Sequence, residues 1–320
     1  MADLNLAFWN VENLFDPHSG AGRGPRTVAE LDQKIGALAR AINGFFGNRG
    51  PDILGLAEVA TEELLQCLIA RLTGSHRYLW QGPGQADQTG LALVARNSKV
   101  AGMVLEDVQR PSLLARPRSM LVRCELPGVG EPFLLSVNHW KSRLHNAGVS
   151  SDADRMQTAR WLGSKLAART RETCVVVLGD FNAEPTEPPL RDVGIGAERH
   201  FSKVLRWRTP PVRLYNTAWR LMAEPRLWED TRAGHPAEPR PKTTVSASFS
   251  VFDQIMVSAA ALRRGPIELV EGSVCCACTA VTSEHNARGI LRPRRWEEAA
   301  PGSFVGASDH FPLLATFIIR

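Results

Sequence analysis

The spacing of apolar residues changes several times along the chain, and each change marks an element. Residues 4–10 partly alternate, with Leu4, Leu6 and Phe8 on one side, which predicts a strand. Residues 17–27 hold Pro17, Gly20, Gly22, Gly24 and Pro25 and read as loop. Val28, Leu31, Ile35, Leu38, Ile42 and Phe45 then recur at steps of three and four, the single apolar stripe of a helix. Pro51 and Asp52 precede a short strand over 53–58. Thr61, followed by Glu62 and Glu63, predicts a cap and an acidic first turn for a helix through Leu72. Further strands are expected at 90–96, 119–126 and 133–139, and Asp152 is a cap for a helix running to Ala168. Residues 174–178 are continuously apolar, as in a strand covered on both faces. Residues 184–245, rich in proline and arginine with Trp207, Trp219 and Trp228, read as a long excursion with some helix. Strands resume at 251–258 and 313–319. Helices and strands are mixed, with several short strand-to-strand connections, so the expected class is α/β with mixed sheets.

Composition narrows this picture. The chain has 320 residues, of which 44% are hydrophobic and 22% charged, which is globular composition and excludes a disordered chain. No run of eighteen apolar residues exists, which argues against a membrane span. With 38 basic and 33 acidic residues the formal charge is +5, which permits an anionic partner without requiring one. Cys67, Cys124, Cys174, Cys275, Cys276 and Cys278 do not form the framework of a disulfide-stapled fold. The first residues lack the basic-then-apolar pattern of a secretory signal. A cytoplasmic location is therefore the expectation.

Polar residues gather at the ends of these apolar strands. Asn10 ends the first, Glu58 the second, and Asn138 and His139 the strand at 133–139. Asp180 and Asn182 follow 174–178, Asp253 lies in the strand at 251–258, and Asp309 and His310 precede the last strand. Neighbouring strands lie only about 5 Å apart, so strand ends can converge on one rim. Oxygen ligands suit a hard cation such as Mg²⁺, and a histidine oriented by a carboxylate supplies a general base. Together these are the parts of a metal-assisted phosphoryl-transfer site. Taken alone, Glu58 reads as a surface acid, and Asn10 as a residue satisfying backbone groups at a strand end.

The segments Phe8-Trp9-Asn10-Val11-Glu12-Asn13-Leu14, Leu56-Ala57-Glu58-Val59, Val137-Asn138-His139-Trp140, Leu178-Gly179-Asp180-Phe181-Asn182, Phe252-Asp253-Gln254-Ile255 and Ser308-Asp309-His310-Phe311-Pro312 occur in that order. This series resembles the successive motifs of the endonuclease/exonuclease/phosphatase superfamily, the deoxyribonuclease I-like group. The resemblance implies one domain over residues 1–320, a four-layer αββα sandwich in which two mixed sheets pack face to face with helices on both outer sides. It also implies roles. Glu58 resembles the principal metal ligand, with Asn10 and Asp309 beside it. His310 resembles the base that activates water, and Asp253 the group that orients it. Asn182 and His139 would donate to the non-bridging phosphate oxygens. Asp180 would act near the nucleophile or the leaving oxygen. The implied cofactor is Mg²⁺, with Mn²⁺ as a substitute, and the implied chemistry is in-line hydrolysis of a phosphoester.

Lys141, Arg143 and Asn13 are candidates for substrate contact, with a solvated loop as the plain alternative. Arg206, Trp207, Arg208 and Arg213 could meet a nucleic acid or pack within the excursion. Cys275, Cys276, Cys278 and His285 lack the two separated pairs of a zinc site. The leading expectation is a Mg²⁺-dependent endonuclease acting on DNA. The second is a phosphatase or phosphodiesterase acting on a phosphoinositide, sphingolipid or nucleotide. The third is a catalytically silent binding module, against which the filled site positions count. The segment 248–253 lacks the Pro-x-Trp-Cys-Asp-Arg signature of inositol 5-phosphatases.

Overall fold

The computed structural model describes residues 2–83, 87–112, 114–143, 149–167, 169, 172–191, 195–207, 213–222, 250–285 and 291–320. Its strands are β1 (Asp3–Leu14), β2 (Ile53–Val59), β3 (His76–Gln81), β4 (Gly90–Arg96), β5 (Gly102–Gln109), β6 (Ser119–Glu125), β7 (Phe133–His139), β8 (Val175–Asp180), β9 (Leu214–Asn216), β10 (Asp253–Ser258), β11 (Ile267–Leu269), β12 (Cys275–Cys276), β13 (Ser283–His285), β14 (Leu291–Pro293), β15 (Glu297–Ala300), β16 (Ser303–Val305) and β17 (Leu313–Ile319). The main helices are α1 (Val28–Asn48), α2 (Glu62–Ile69) and α3 (Val149–Ala167).

Two sheets form. The first runs β11-β17-β1-β2-β4-β3, with β12 also paired to β17, and the second runs β5-β6-β7-β8-β10-β9. Both are mixed, because β1 pairs with β2, and β7 with β8, in parallel, while the other pairs are antiparallel. Alternation along each strand builds three apolar layers. Leu6, Phe8, Met120, Val137, Leu178 and Ile255 fill the space between the sheets. Trp9, Leu54 and Leu56 point the other way, onto Ile35, Leu38, Ile42 and Phe45 of α1 and Leu65 of α2. Leu134, Val175 and Val177 meet Ala159, Leu162 and Leu166 of α3. Helix, sheet, sheet and helix therefore form the four expected layers. Strands covered on both sides carry apolar residues at nearly every position, which explains the unbroken run at 174–178.

The helix starts follow local chemistry. Thr27 Oγ1 accepts from the Glu30 N–H at 3.2 Å, and Thr61 Oγ1 from the Leu64 N–H at 3.3 Å. The regular part of α1 gives way at Phe45, Phe46 and Gly47, close to the end of the apolar stripe. Several boundaries differ from expectation. α2 stops at Ile69, before Leu72. α3 begins at Val149, so Asp152 lies inside its first turn and pairs with Arg155. β1 continues past Asn10 to Leu14. β3 and β5 give no alternating signal, since their positions are mostly half-buried. Within the excursion, Leu214–Asn216 adds β9 to the second sheet beside β10. Arg208 and Trp228 lie outside the described residues.

Candidate active site

The second sheet brings three site residues into one row. His139 is in register with Asp180, and Asp180 with Asp253, across β7, β8 and β10. Paired positions share a face. Each of the three follows the same alternation as Val137, Leu178 and Ile255, so all face the first sheet. Gly179 permits this spacing, since its backbone has φ 152° and a Cβ there would lie 2.3 Å from the Asn138 carbonyl oxygen.

The first sheet contributes the opposing side. Asn10 follows Leu6 and Phe8 on the inward face of β1. Alternation alone would send Glu58 outward with Leu54 and Leu56. A bulge between Ala57 and Val59, with Glu58 at φ 67°, turns its carboxylate back toward the site. The Asn13 N–H donates to Glu58 Oε2 at 2.8 Å, from a turn in which Glu12 and Asn13 have φ 48° and 52°. Lys34, buried in α1, donates to the Glu12 carbonyl and Arg295 pairs with the Glu12 carboxylate, so this turn is held from two sides. His310 enters just before β17. Its carbonyl accepts from Trp9 Nε1 at 2.9 Å and its N–H donates to Ser308 Oγ at 3.1 Å.

The two sides meet around Asn10. Its Nδ2 lies 3.2 Å from both Glu58 Oε1 and Asp180 Oδ2, and 3.4 Å from His310 Nε2. Its Oδ1 accepts from the Glu12 N–H at 3.1 Å. His310 Nδ1 sits 2.8 Å from Asp253 Oδ2. His139 Nε2 is 3.6 Å from Glu58 Oε1 and 3.7 Å from Asp180 Oδ2. Burial disfavours a charged His310, but Asp253, Asp180 and Asp309 outweigh it and hold its pKa well above 6.5. Burial and Arg116 push His139 the other way, to about 4, so it is neutral at pH 7. Burial also raises Asp180. For Glu58, burial is outweighed by His139, the Asn13 N–H, His310 and Arg116, which hold it below the usual carboxylate range.

A family model described as the Endonuclease/Exonuclease/phosphatase family matches residues 5–318. The chain belongs to that family. Its members are phosphoester hydrolases that generally depend on a divalent metal. Solved structures share the fold. Danio rerio TDP2 complexed with a single-strand DNA product has a TM-score of 0.57 at 14% identity, covering 99% of this chain and 100% of that one. A mannosyl-6-phosphatase of Bacteroides thetaiotaomicron has a TM-score of 0.57 at 15% identity, covering 99% and 100%. An endonuclease/exonuclease/phosphatase family protein of the same organism has a TM-score of 0.56 at 15% identity, covering 100% and 96%. A search of curated protein sequences finds no match.

Within this phosphoesterase of the endonuclease/exonuclease/phosphatase family, Asn10, Glu58, His139, Asp180, Asp253 and His310 form one cluster. Asp309 stands at its edge, with Oδ1 3.7 Å from His310 Nε2. Asn182 lies beside it, where its N–H donates to Asp180 Oδ1 at 2.9 Å and its Nδ2 to the Trp140 carbonyl at 3.2 Å. Asn13 contributes its backbone N–H to Glu58. Arg143 is engaged elsewhere: Nε donates to the Asn182 carbonyl at 2.9 Å, the guanidinium pairs with Glu187, and it lies over the Phe252 ring. Lys141 is half-buried next to the cluster. Among the described residues, Asp180, Asp253 and His310 bring three metal-ligating atoms within 4.8 Å of one another. The 2.8 Å contact between His310 and Asp253 reads as a hydrogen bond, which leaves those two atoms engaged with each other. Sequence reasoning missed Arg116, whose charge reaches Glu58, Asp180 and His139. It also missed Lys34 and Arg295. The Arg116-Pro117-Arg118 run before β6 was the available signal for the first.

Proposed function

We propose that this single-domain protein is a Mg²⁺-dependent phosphodiesterase that acts as an endonuclease on DNA. One observation carries the reading: a histidine held by a buried aspartate points its second nitrogen into a cluster of carboxylates and amides. Glu58 and Asp309 supply hard oxygen donors of the kind Mg²⁺ or Mn²⁺ takes, and the low pKa of Glu58 keeps it ionised for that purpose. Asn10 as oriented donates to the carboxylates, and ligates through Oδ1 only with its amide turned over. When bound, a divalent cation supplies positive charge that offsets the phosphate oxygens and favours the neutral form of His310.

The chain's own residues do the rest. His310 donates its Nδ1–H to Asp253 Oδ2, which leaves Nε2 as the acceptor for a water proton. Asp253 then stabilises the imidazolium. Neutral His139 and Asn182 donate to the non-bridging oxygens as charge builds on them. Asp180, whose two oxygens accept from Asn10 Nδ2 and the Asn182 N–H, acts near the nucleophile or the leaving oxygen. Water attacks in line with that oxygen.

DNA as substrate is supported by the net charge of +5 and by the shared fold with TDP2, whose structure holds a single-strand DNA product. A small phosphoester is the second reading, supported by the equally similar mannosyl-6-phosphatase. The deciding experiment incubates supercoiled plasmid with and without Mg²⁺ or Mn²⁺, beside Glu58→Ala and His310→Ala. Metal-dependent nicking that both substitutions abolish is expected. Hydrolysis of small phosphoesters alone establishes the second reading, and no hydrolysis under any metal leaves a silent binding module.

A further inference from the structure

The row of site residues on the second sheet does not stop at His139. Ser119 is in register with Asn138, and the His139 N–H donates to the Arg118 carbonyl at 2.9 Å. Arg118 is therefore the next member of the row Asp253, Asp180, His139. It shares the alternation of Met120 and Val122, so it faces the same interior space. Arg118 is 7% exposed, and its Nε and Nη1 are buried without a hydrogen-bond partner. That arrangement is costly, because a buried guanidinium normally has its donors satisfied. Arg155, 2% exposed, differs in degree: its Nη1 donates to the Lys141 carbonyl and its Nη2 pairs with Asp152, which leaves only Nε without a partner.

Arg118 is also not alone. Arg116 and Lys141 stand close enough to depress its pKa or have theirs depressed by it. Asp154 of α3 is the carboxylate whose charge reaches Arg118 and Lys141. Among the described residues none of the three cations forms an ion pair. Asp154, Glu58 and Asp180 act on them only through space, so three cations near His139 keep donors that no described carboxylate contacts directly.

We propose that Arg116, Arg118 and Lys141 form an anion subsite that holds a second phosphate of the substrate, next to the one being cleaved. The inference rests on the phosphoesterase reading and narrows it. The preferred substrate carries adjacent phosphates, as an oligonucleotide or a small molecule with a second phosphoryl group does. The planar donor fork of arginine matches phosphate oxygens. Arg118 lies one strand step, about 5 Å, from His139, within reach of a neighbouring group on the same substrate.

The test has a binding arm and a kinetic arm, both on the full chain. In the first, inorganic pyrophosphate is titrated by calorimetry into the wild type, Arg118→Met, Arg118→Lys and Lys141→Met. Arg118→Met is expected to weaken binding about ten- to a hundred-fold, with partial recovery in Arg118→Lys. Lys141→Met, at a half-buried position, gives the same direction where Arg118→Met fails to fold. In the second arm, kcat/KM is compared for a thymidine dinucleotide bare, 5′-phosphorylated or 3′-phosphorylated, and for an inositol bisphosphate. The wild type is expected to prefer a doubly phosphorylated substrate, and Arg118→Met to bring that ratio toward one. Preference among the substrates separates the oligonucleotide from the small molecule. Equal pyrophosphate affinity in all variants, or a ratio unchanged by Arg118→Met, overturns the subsite. Pyrophosphate binding that depends on Arg118 without hydrolysis of any substrate keeps the subsite and overturns the enzymatic reading instead.

Discussion

His310 Nδ1 and Asp253 Oδ2 are 2.8 Å apart although Asp253 belongs to the second sheet and His310 leads into the last strand of the first. The pair sets the charge of the imidazole. In its proposed role as the base, His310 must be neutral, so activity is expected to rise with pH as it loses its proton. Asp253→Asn removes the dominant attraction, moves that acid limb to lower pH and lowers kcat by about a hundred- to ten-thousand-fold. A pH–rate profile unchanged by the substitution sinks the assignment.

The same pair makes a prediction about stability in the metal-free protein. The folded pKa of His310 lies above its ordinary value of 6.5, so the folded state holds its proton more tightly than the unfolded chain. The stabilisation is complete below that ordinary value and disappears as pH rises through the raised one. Urea midpoints of the wild type are expected to fall over this window relative to Asp253→Asn.

Glu58→Gln keeps the shape of the side chain and removes its charge. Affinity for Mg²⁺ or Mn²⁺ is expected to fall at least about tenfold, read by calorimetry rather than by turnover. Unaltered affinity would remove Glu58 from the metal shell.

Lys34 is buried in α1 and donates to the Glu12 carbonyl, in the turn that offers the Asn13 N–H to Glu58. Burial, partly offset by Glu12 and Glu58, lowers its pKa from 10.5 to about 8. Between those values the unfolded chain binds more protons, so the contribution of Lys34 to stability rises with pH. Lys34→Met is expected to cost about 1–3 kcal/mol through the orphaned carbonyl and to abolish that rise, in melts recorded across the window.

Gly179→Ala puts a methyl 2.3 Å from the Asn138 carbonyl oxygen at a φ of 152°. A cost of about 1–3 kcal/mol is expected, with lower activity because Asp180 is the next residue. Calorimetric melting at wild-type temperature would contradict this.

Much of the site was legible because its residues break apolar strands at their ends, where a buried Asn, Asp or His needs a reason. The stripe on α1 and the unbroken run of β8 made one helix and one doubly covered strand legible, whereas the four layers followed only from the resemblance of the six motifs to the family. The turn of Glu58 was not legible. Alternation in β2 assigns it to the helix side, and only the bulge reverses that. β3 and β5 escaped because half-buried strands mix polar and apolar residues without a period. Arg118 escaped because its meaning lies in a cross-strand register that no local window contains.

Asn10 and Glu58 belong to one sheet, and His139, Asp180 and Asp253 to the other. In the proposed mechanism neither half acts alone, so turnover would gauge how well the halves are docked. Heating should silence the protein when the layer holding Phe8, Val137 and Leu178 loosens, even while each sheet keeps its hydrogen bonds.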